Sequence, residues 1–128
     1  MSAPVLYDIV ESPLHPKCAA LYARLGFEVV ALSAQRKAIG QLKRQPPTWV
    51  VADFIYAFST YYQATNISNL DVLLNSLVKY APEARVVVLA NKSDLEHVEK
   101  LRHIHPLAAV LTYPVSEAQL QGVLQDTP

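Results

Sequence analysis

Two hydrophobic rhythms alternate along the chain. Apolar or β-branched runs of strand length occupy 5–10 (VLYDIV), 27–32 (FEVVAL), 49–53 (WVVAD), 85–90 (RVVVLA) and 108–113 (AAVLTY). Each is bounded by a breaker or a polar residue, as a short strand requires. The intervening stretches carry the helical period. Cys18, Leu21, Tyr22 and Leu25 are spaced i, i+3, i+4, i+7, with Pro16 suited to a first turn and Gly26 to a C-terminal cap. A second helix is expected from Ser33 as N-cap, with Ala38, Ile39 and Leu42 inward and Lys43 and Arg44 closing it before Pro46-Pro47. Gly40 weakens it slightly. The third helix places Leu70, Leu73, Leu74, Leu77 and Val78 on one face, capped by Ser68 or Asn69 and stopped before Pro82. Ser93-x-x-Glu96 and Ser116-x-x-Gln119 both have the form of a capping box and open a fourth and a fifth helix.

Five strands alternating with five helices, the interior strands apolar on both faces, predict an α/β fold with a parallel sheet covered on two sides. Right-handed crossovers favour a doubly wound five-stranded sheet in the flavodoxin-like order 2-1-3-4-5. In such a sheet chemistry belongs at the C-terminal ends of strands 1, 3 and 4. That directs attention to Asp8 through Ser12, to Asp53 onward, to Ala90 through Asp94, and to Tyr113-Pro114.

At 128 residues, 1–128 is expected to form a single domain with a core that needs neither disulfide nor metal. Eleven basic and eleven acidic residues leave no net charge, which gives nucleic-acid or membrane-surface binding no electrostatic support. A lone cysteine, Cys18, suits a reducing compartment and a core-facing helical position. The first residues, MSAPVLYDIVESP, have neither a basic nor a continuous apolar segment of the secretory kind, and no apolar stretch approaches membrane-spanning length. A cytoplasmic protein is expected.

Several chemistries are set aside on spacing. Asn91-Lys92-Ser93-Asp94 resembles the guanine-reading stretch of small GTPases, but Gly26, Gly40 and Gly122 are the only glycines and none begins a phosphate-binding loop. The first strand leads instead into Glu11-Ser12-Pro13-Leu14-His15-Pro16, where prolines remove N–H donors and an acid repels phosphate. For the same reason no flavin phosphate nest is expected there. His103-Ile104-His105, with His97 nearby, puts its rings on different faces and reads as a solvated helix end rather than a metal site. His15 lies near the functional edge, yet no serine sits on a nucleophile elbow, so a hydrolase is not supported.

The order LYARLGFEVV, PTWVVAD and LTYPVSEAQL resembles, over nearly the whole length, the receiver domain of two-component response regulators, the chemotaxis-regulator type included. The resemblance implies a phosphoacceptor Asp after strand 3, an acidic pair after strand 1 that helps hold Mg²⁺, a hydroxyl residue ending strand 4, and a Lys before a Pro after strand 5. Asp53 stands at the phosphoacceptor position. Glu11-Ser12-Pro13 resembles the acidic motif with its second acid replaced by Ser, whereas an ungapped reading puts Ile9 and Val10 there, and Asp8 can face the sheet's end. Glu11 and Asp8 are the candidate metal residues. Ala90 replaces the hydroxyl and cannot donate to a phosphoryl oxygen, and Tyr113 replaces the Lys with a neutral phenol that cannot supply its charge, so the switch groups are expected to be missing.

The loop after Asp53 is longer than the resemblance leads one to expect and carries five aromatics, Phe54, Tyr56, Phe58, Tyr61 and Tyr62. Such rings complete a local core, form a partner surface, or line a small-ligand pocket. For the partner surface the candidates are Tyr56, Phe58, Tyr61 and Tyr62. The expectation is a degenerate, stand-alone receiver-like signalling domain, a pseudo-receiver and not an enzyme, acting through a protein partner or as a homodimer. The alternative is a working phosphoacceptor, modified on Asp53 in a Mg²⁺-dependent phosphorelay. Only that alternative calls for a cofactor.

Overall fold

The computed structural model describes residues 3–56 and 68–125. Phe58, Tyr61 and Tyr62 lie outside the described residues. The elements are β1 (Val5–Ile9), α1 (Ala19–Arg24), β2 (Glu28–Leu32), α2 (Gln35–Gln41), β3 (Trp49–Asp53), α3 (Asp71–Tyr80), β4 (Arg85–Ala90), α4 (Leu95–Glu99), β5 (Ala109–Thr112) and α5 (Glu117–Gln125). Short 3₁₀ turns, Lys92–Asp94 and Lys100–His103, flank α4. All five strands pair parallel in the order β2-β1-β3-β4-β5, the doubly wound arrangement expected.

Strand alternation sorts the core into two layers. Tyr7, Ile9, Val50, Ala52, Val86 and Val88 pack against α2, α3 and α4 through Ala38, Leu42, Leu73, Leu77 and Val98. Leu6, Trp49, Val51, Val87 and Leu89 pack against α1 and α5 through Leu21, Tyr22, Leu120 and Leu124. Cys18 belongs to that second layer and is buried and unpaired. Period-two alternation then assigns Asp8 and Asp53 to the α1/α5 face, because they continue the rows Leu6–Asp8 and Trp49–Val51–Asp53. Register places Asp8 beside Val51 on the neighbouring strand, one pleat before Asp53.

Helix ends and faces differ from the sequence expectation in several places, among them α2, which stops at Gln41 before Lys43 and Arg44, and α3, whose N-cap is Leu70 rather than Ser68 or Asn69. Pro16 does not open α1, which begins at Ala19; the residues before it form a turn that serves another purpose. Gly26 does end that helix, at φ 95°, in the left-handed conformation that glycine adopts without strain. Ser33 does not cap α2, whose N-cap is Ala34. Val78 is not on the buried face of α3 but is 48% exposed. Ser93-x-x-Glu96 forms no capping box: Ser93 lies inside the 3₁₀ turn, whose cap residue is Asn91. At the start of α3, Asp71 Oδ1 accepts from the Ser68 N–H and hydroxyl at 2.7 and 2.9 Å, while Ser68 Oγ accepts from Leu70 N–H.

Ser116-x-x-Gln119, by contrast, closes as expected, with Gln119 N–H donating to Ser116 Oγ at 3.1 Å and Ser116 N–H to Gln119 Oε1 at 2.9 Å. The two motifs look alike in sequence and should behave differently. In urea unfolding, Ser116→Ala is expected to cost about 1 kcal/mol, whereas Ser93→Ala should stay within about 0.5 kcal/mol of wild type.

Candidate functional site

The site forms at the C-terminal edge of the sheet, where β1, β3 and β5 end. Asp53, the last residue of β3, is fully buried. A carboxylate so removed from water must have its charge and lone pairs met by the protein. Oδ2 accepts from the backbone N–H groups of Glu11 and Ser12 at 2.9 and 3.0 Å and from His15 Nδ1 at 2.8 Å. Oδ1 accepts from the Tyr113 hydroxyl at 2.5 Å, which also lies 3.2 Å from the Leu89 carbonyl. Both oxygens are thus engaged by groups of the chain itself.

His15 reaches this position through the turn Ser12-Pro13-Leu14-His15. His15 N–H donates to the Ser12 carbonyl at 3.1 Å, and Leu14 N–H donates to Ser12 Oγ at 3.1 Å. Pro13 supplies the preset φ that position i+1 of such a turn favours. The turn drops the imidazole between the two carboxylates of the α1/α5 face. Its other nitrogen, Nε2, lies 2.6 Å from Asp8 Oδ1. The ring is 1% exposed and its two partners 9% and 0%. The result is a continuous buried chain, Asp8–His15–Asp53–Tyr113.

Glu11 contributes differently from its sequence expectation. Its N–H serves Asp53, but its carboxylate accepts from Asn69 Nδ2 at 2.7 Å. Asn69 does not cap α3. It is buried, donates to the Asp53 carbonyl at 2.9 Å, and accepts from Ile55 N–H at 2.8 Å, so that it clips the exit of β3 to the start of α3. Ala90 is fully buried in the layer under α3 and α4, and its carbonyl accepts from Tyr113 N–H at 3.0 Å. Tyr56 is 48% exposed and stacks on His97 of α4, ring centroids 3.9 Å apart.

Whether this arrangement fits Mg²⁺ can be judged from its donors. The ion takes oxygen ligands in a near-octahedral shell and keeps several waters. Here an imidazole fills the space between Asp8 and Asp53, Asp53 Oδ2 already has three donors, and the Glu11 carboxylate is turned to Asn69. Arranged in this way, the three acids do not fit the ion. Among the described residues no group of three or more His, Cys, Asp or Glu side chains is disposed to hold a metal.

His15, central here, carries no motif in the sequence. The available signal was the strand alternation that puts Asp8 and Asp53 on one face, together with a histidine held between two prolines close by. The resemblance marked Tyr113 only as standing where a Lys is expected; in the fold its hydroxyl is a donor to Asp53. The pair His103 and His105 does split across faces, but His105 is not solvated. It is 2% exposed, with Nδ1 donating to the Pro106 carbonyl at 2.8 Å.

Electrostatics follows from these contacts. Burial lowers the affinity of His15 for its proton, but the hydrogen bonds and charges of Asp53 and Asp8 outweigh it and hold the pKa up at about 9. Burial would raise the Asp53 pKa, and it is overcome by the hydrogen bonds from His15, Tyr113 and the Glu11 N–H, which leave it below the ordinary carboxylate value. Burial, followed by the hydrogen bond to Asp53, pushes the Tyr113 phenol well above its usual value.

Because the folded pKa of His15 lies above its unfolded value of 6.5, its stabilisation is complete below that pH and is lost as pH rises through 9. Unfolding free energies near pH 6 and pH 9.5 should therefore differ by on the order of 3 kcal/mol more in wild type than in His15→Gln. Asp53 contributes in the opposite sense, its stabilisation present above the ordinary carboxylate pKa and lost as pH falls through its depressed value. Tyr113→Phe removes the donor to a buried carboxylate oxygen and should lower stability by about 1.5–3 kcal/mol in urea unfolding at neutral pH.

No protein-family model matches the sequence, and neither does any curated protein. Solved structures do match in fold. A CheY-like response regulator receiver domain from Methanospirillum hungatei superposes with a TM-score of 0.69 at 13% identity, covering 98% of this chain and 93% of that one. The receiver domain of a sensor histidine kinase from Pseudomonas aeruginosa, with a magnesium ion coordinated in its active site cleft, gives 0.68 at 14% identity, covering 97% and 96%. The BeF₃-activated DrrB receiver domain gives 0.70 at 17% identity, covering 98% and 96%. The chain therefore has the fold of the CheY-like receiver domains.

Proposed function

We propose that the chain is a receiver-like signalling domain that works through protein contacts, without a phosphorylation switch and without catalytic chemistry of its own. The observation that carries this reading is the state of Asp53. Its side chain is fully buried and both oxygens are held by four donors of the chain itself. Attack on a phosphodonor needs a carboxylate oxygen in line with the phosphorus and stabilisation of the charge that moves onto the phosphoryl oxygens. Here the buried donors are aimed at Asp53 rather than outward at an incoming group.

Two features support protein contacts. Tyr56 projects half-exposed from the exit of β3 and stacks on His97, so an aromatic ring is joined to the outer face of α4. With β5 at the sheet edge, α4, β5 and α5 form one flank that a partner or a second copy can engage. Aromatic side chains of this kind carry much of the energy of protein interfaces. A buried, unpaired Cys18 suits the reducing cytoplasm, and among the described residues no helix is long and apolar enough to cross a membrane.

Intact-mass measurement after incubation with a small phosphodonor and Mg²⁺ tests the reading. The mass is expected to stay unchanged in wild type. A gain of one phosphate that disappears in Asp53→Asn would overturn the proposal and establish a phosphoacceptor working in a Mg²⁺-dependent relay.

A further inference from the structure

We propose that the His15 imidazolium is the resident cation of this site, held between Asp8 and Asp53 in the place a divalent metal would have to take, and that it keeps such a metal out. The inference deepens the reading of a site closed to phosphoryl transfer and rests on it in part, but the geometry behind it is separate. Each ring nitrogen lies against a carboxylate oxygen, Nε2 at 2.6 Å from Asp8 and Nδ1 at 2.8 Å from Asp53. An ionised carboxylate only accepts hydrogen bonds, so both nitrogens donate and the ring carries a positive charge. All three side chains are nine-tenths or more buried, the condition under which two carboxylates on one face repel unless a cation stands between them.

A metal ion would answer the same need, but it is an exchangeable ligand with a bulky water shell. The imidazolium is delivered by the chain at fixed stoichiometry. It also makes directional hydrogen bonds, fixing the carboxylate of Asp53 so that Oδ1 meets the Tyr113 hydroxyl and Oδ2 the two N–H groups of the Glu11-Ser12 backbone. His15 is thus a positioning residue as well as a counter-charge. A surface cavity of about 440 Å³, whose lining includes Asp8, Ser12, Pro13, His15 and the cationic Lys17, adjoins the ring and gives a small ion a route to the carboxylates once the ring is removed.

The test uses Mn²⁺ as the probe, with free ion followed by electron paramagnetic resonance in the full chain. Wild type is expected to hold no stoichiometric Mn²⁺. His15→Ala should gain one site, at least about tenfold tighter than any wild-type binding, that is lost again when Asp8→Asn is added. Free imidazole should raise the melting temperature of His15→Ala and weaken its Mn²⁺ binding. If that variant does not fold, nitrogen NMR of the wild-type imidazole decides. Two protonated ring nitrogens at pH 7 support the proposal, and one bare nitrogen overturns it. Wild type binding Mn²⁺ as tightly as His15→Ala, or a folded His15→Ala that gains no site, also overturns it. Phosphorylation of Asp53 with these results intact would sink the functional reading alone; wild-type Mn²⁺ binding without phosphorylation would sink this one alone.

Discussion

A buried carboxylate governs this end of the molecule. Asp53 completes a strand whose five residues are all buried, so its charge cannot be left to solvent. A second carboxylate, Asp8, lies on the same face of the adjacent strand. Two such charges in a low-dielectric setting cannot both persist without a cation and several donors. The β1–α1 turn, the end of β5 and the start of α3 are each arranged to supply them. His15 comes from the first and Tyr113 from the second, while Asn69 from the third holds the backbone behind Asp53.

This requirement explains features that otherwise look arbitrary. The prolines flanking Leu14 and His15 shorten the first helix, and in exchange Pro13 supports the turn that carries the imidazole inward. Glu11 yields its carboxylate to Asn69 and serves Asp53 through its backbone. Tyr113 lacks the charge of a Lys, yet its phenol donates one short hydrogen bond to the oxygen His15 leaves open. The result is a buried network whose members are satisfied by one another, and such a network specifies one arrangement of the side chains.

The fold was legible because strand and helix periods are local properties. The five apolar runs became the five strands within a residue or so, and Leu73, Leu74 and Leu77 are buried as their spacing required. Helix starts were less legible. Ser93 and Ser116 head identical-looking motifs, but a 3₁₀ turn begins before Ser93 and takes it inside, while Ser116 stands free to cap. Val78 lies at the flank of the arc that Leu70, Leu73, Leu74 and Leu77 cover, and there the helix turns it toward solvent.

By itself the sequence determined the element order, the two-layered core and the position of Asp53 at the end of a buried strand, because each follows from patterning within a short window. It also supplied the resemblance from which Ala90 and Tyr113 are expected at the positions of a hydroxyl residue and a Lys. Only the tertiary structure decided what Asp53 does with its charge. Asp8 and His15 lie far from Asp53 and Tyr113 in the chain, and the four meet because parallel strands end together at one edge and a proline turn folds back over it. Hydrogen bonds depend on distances of a few tenths of an ångström. Such distances are set by packing, so a residue with no motif, His15, could become the centre of the site.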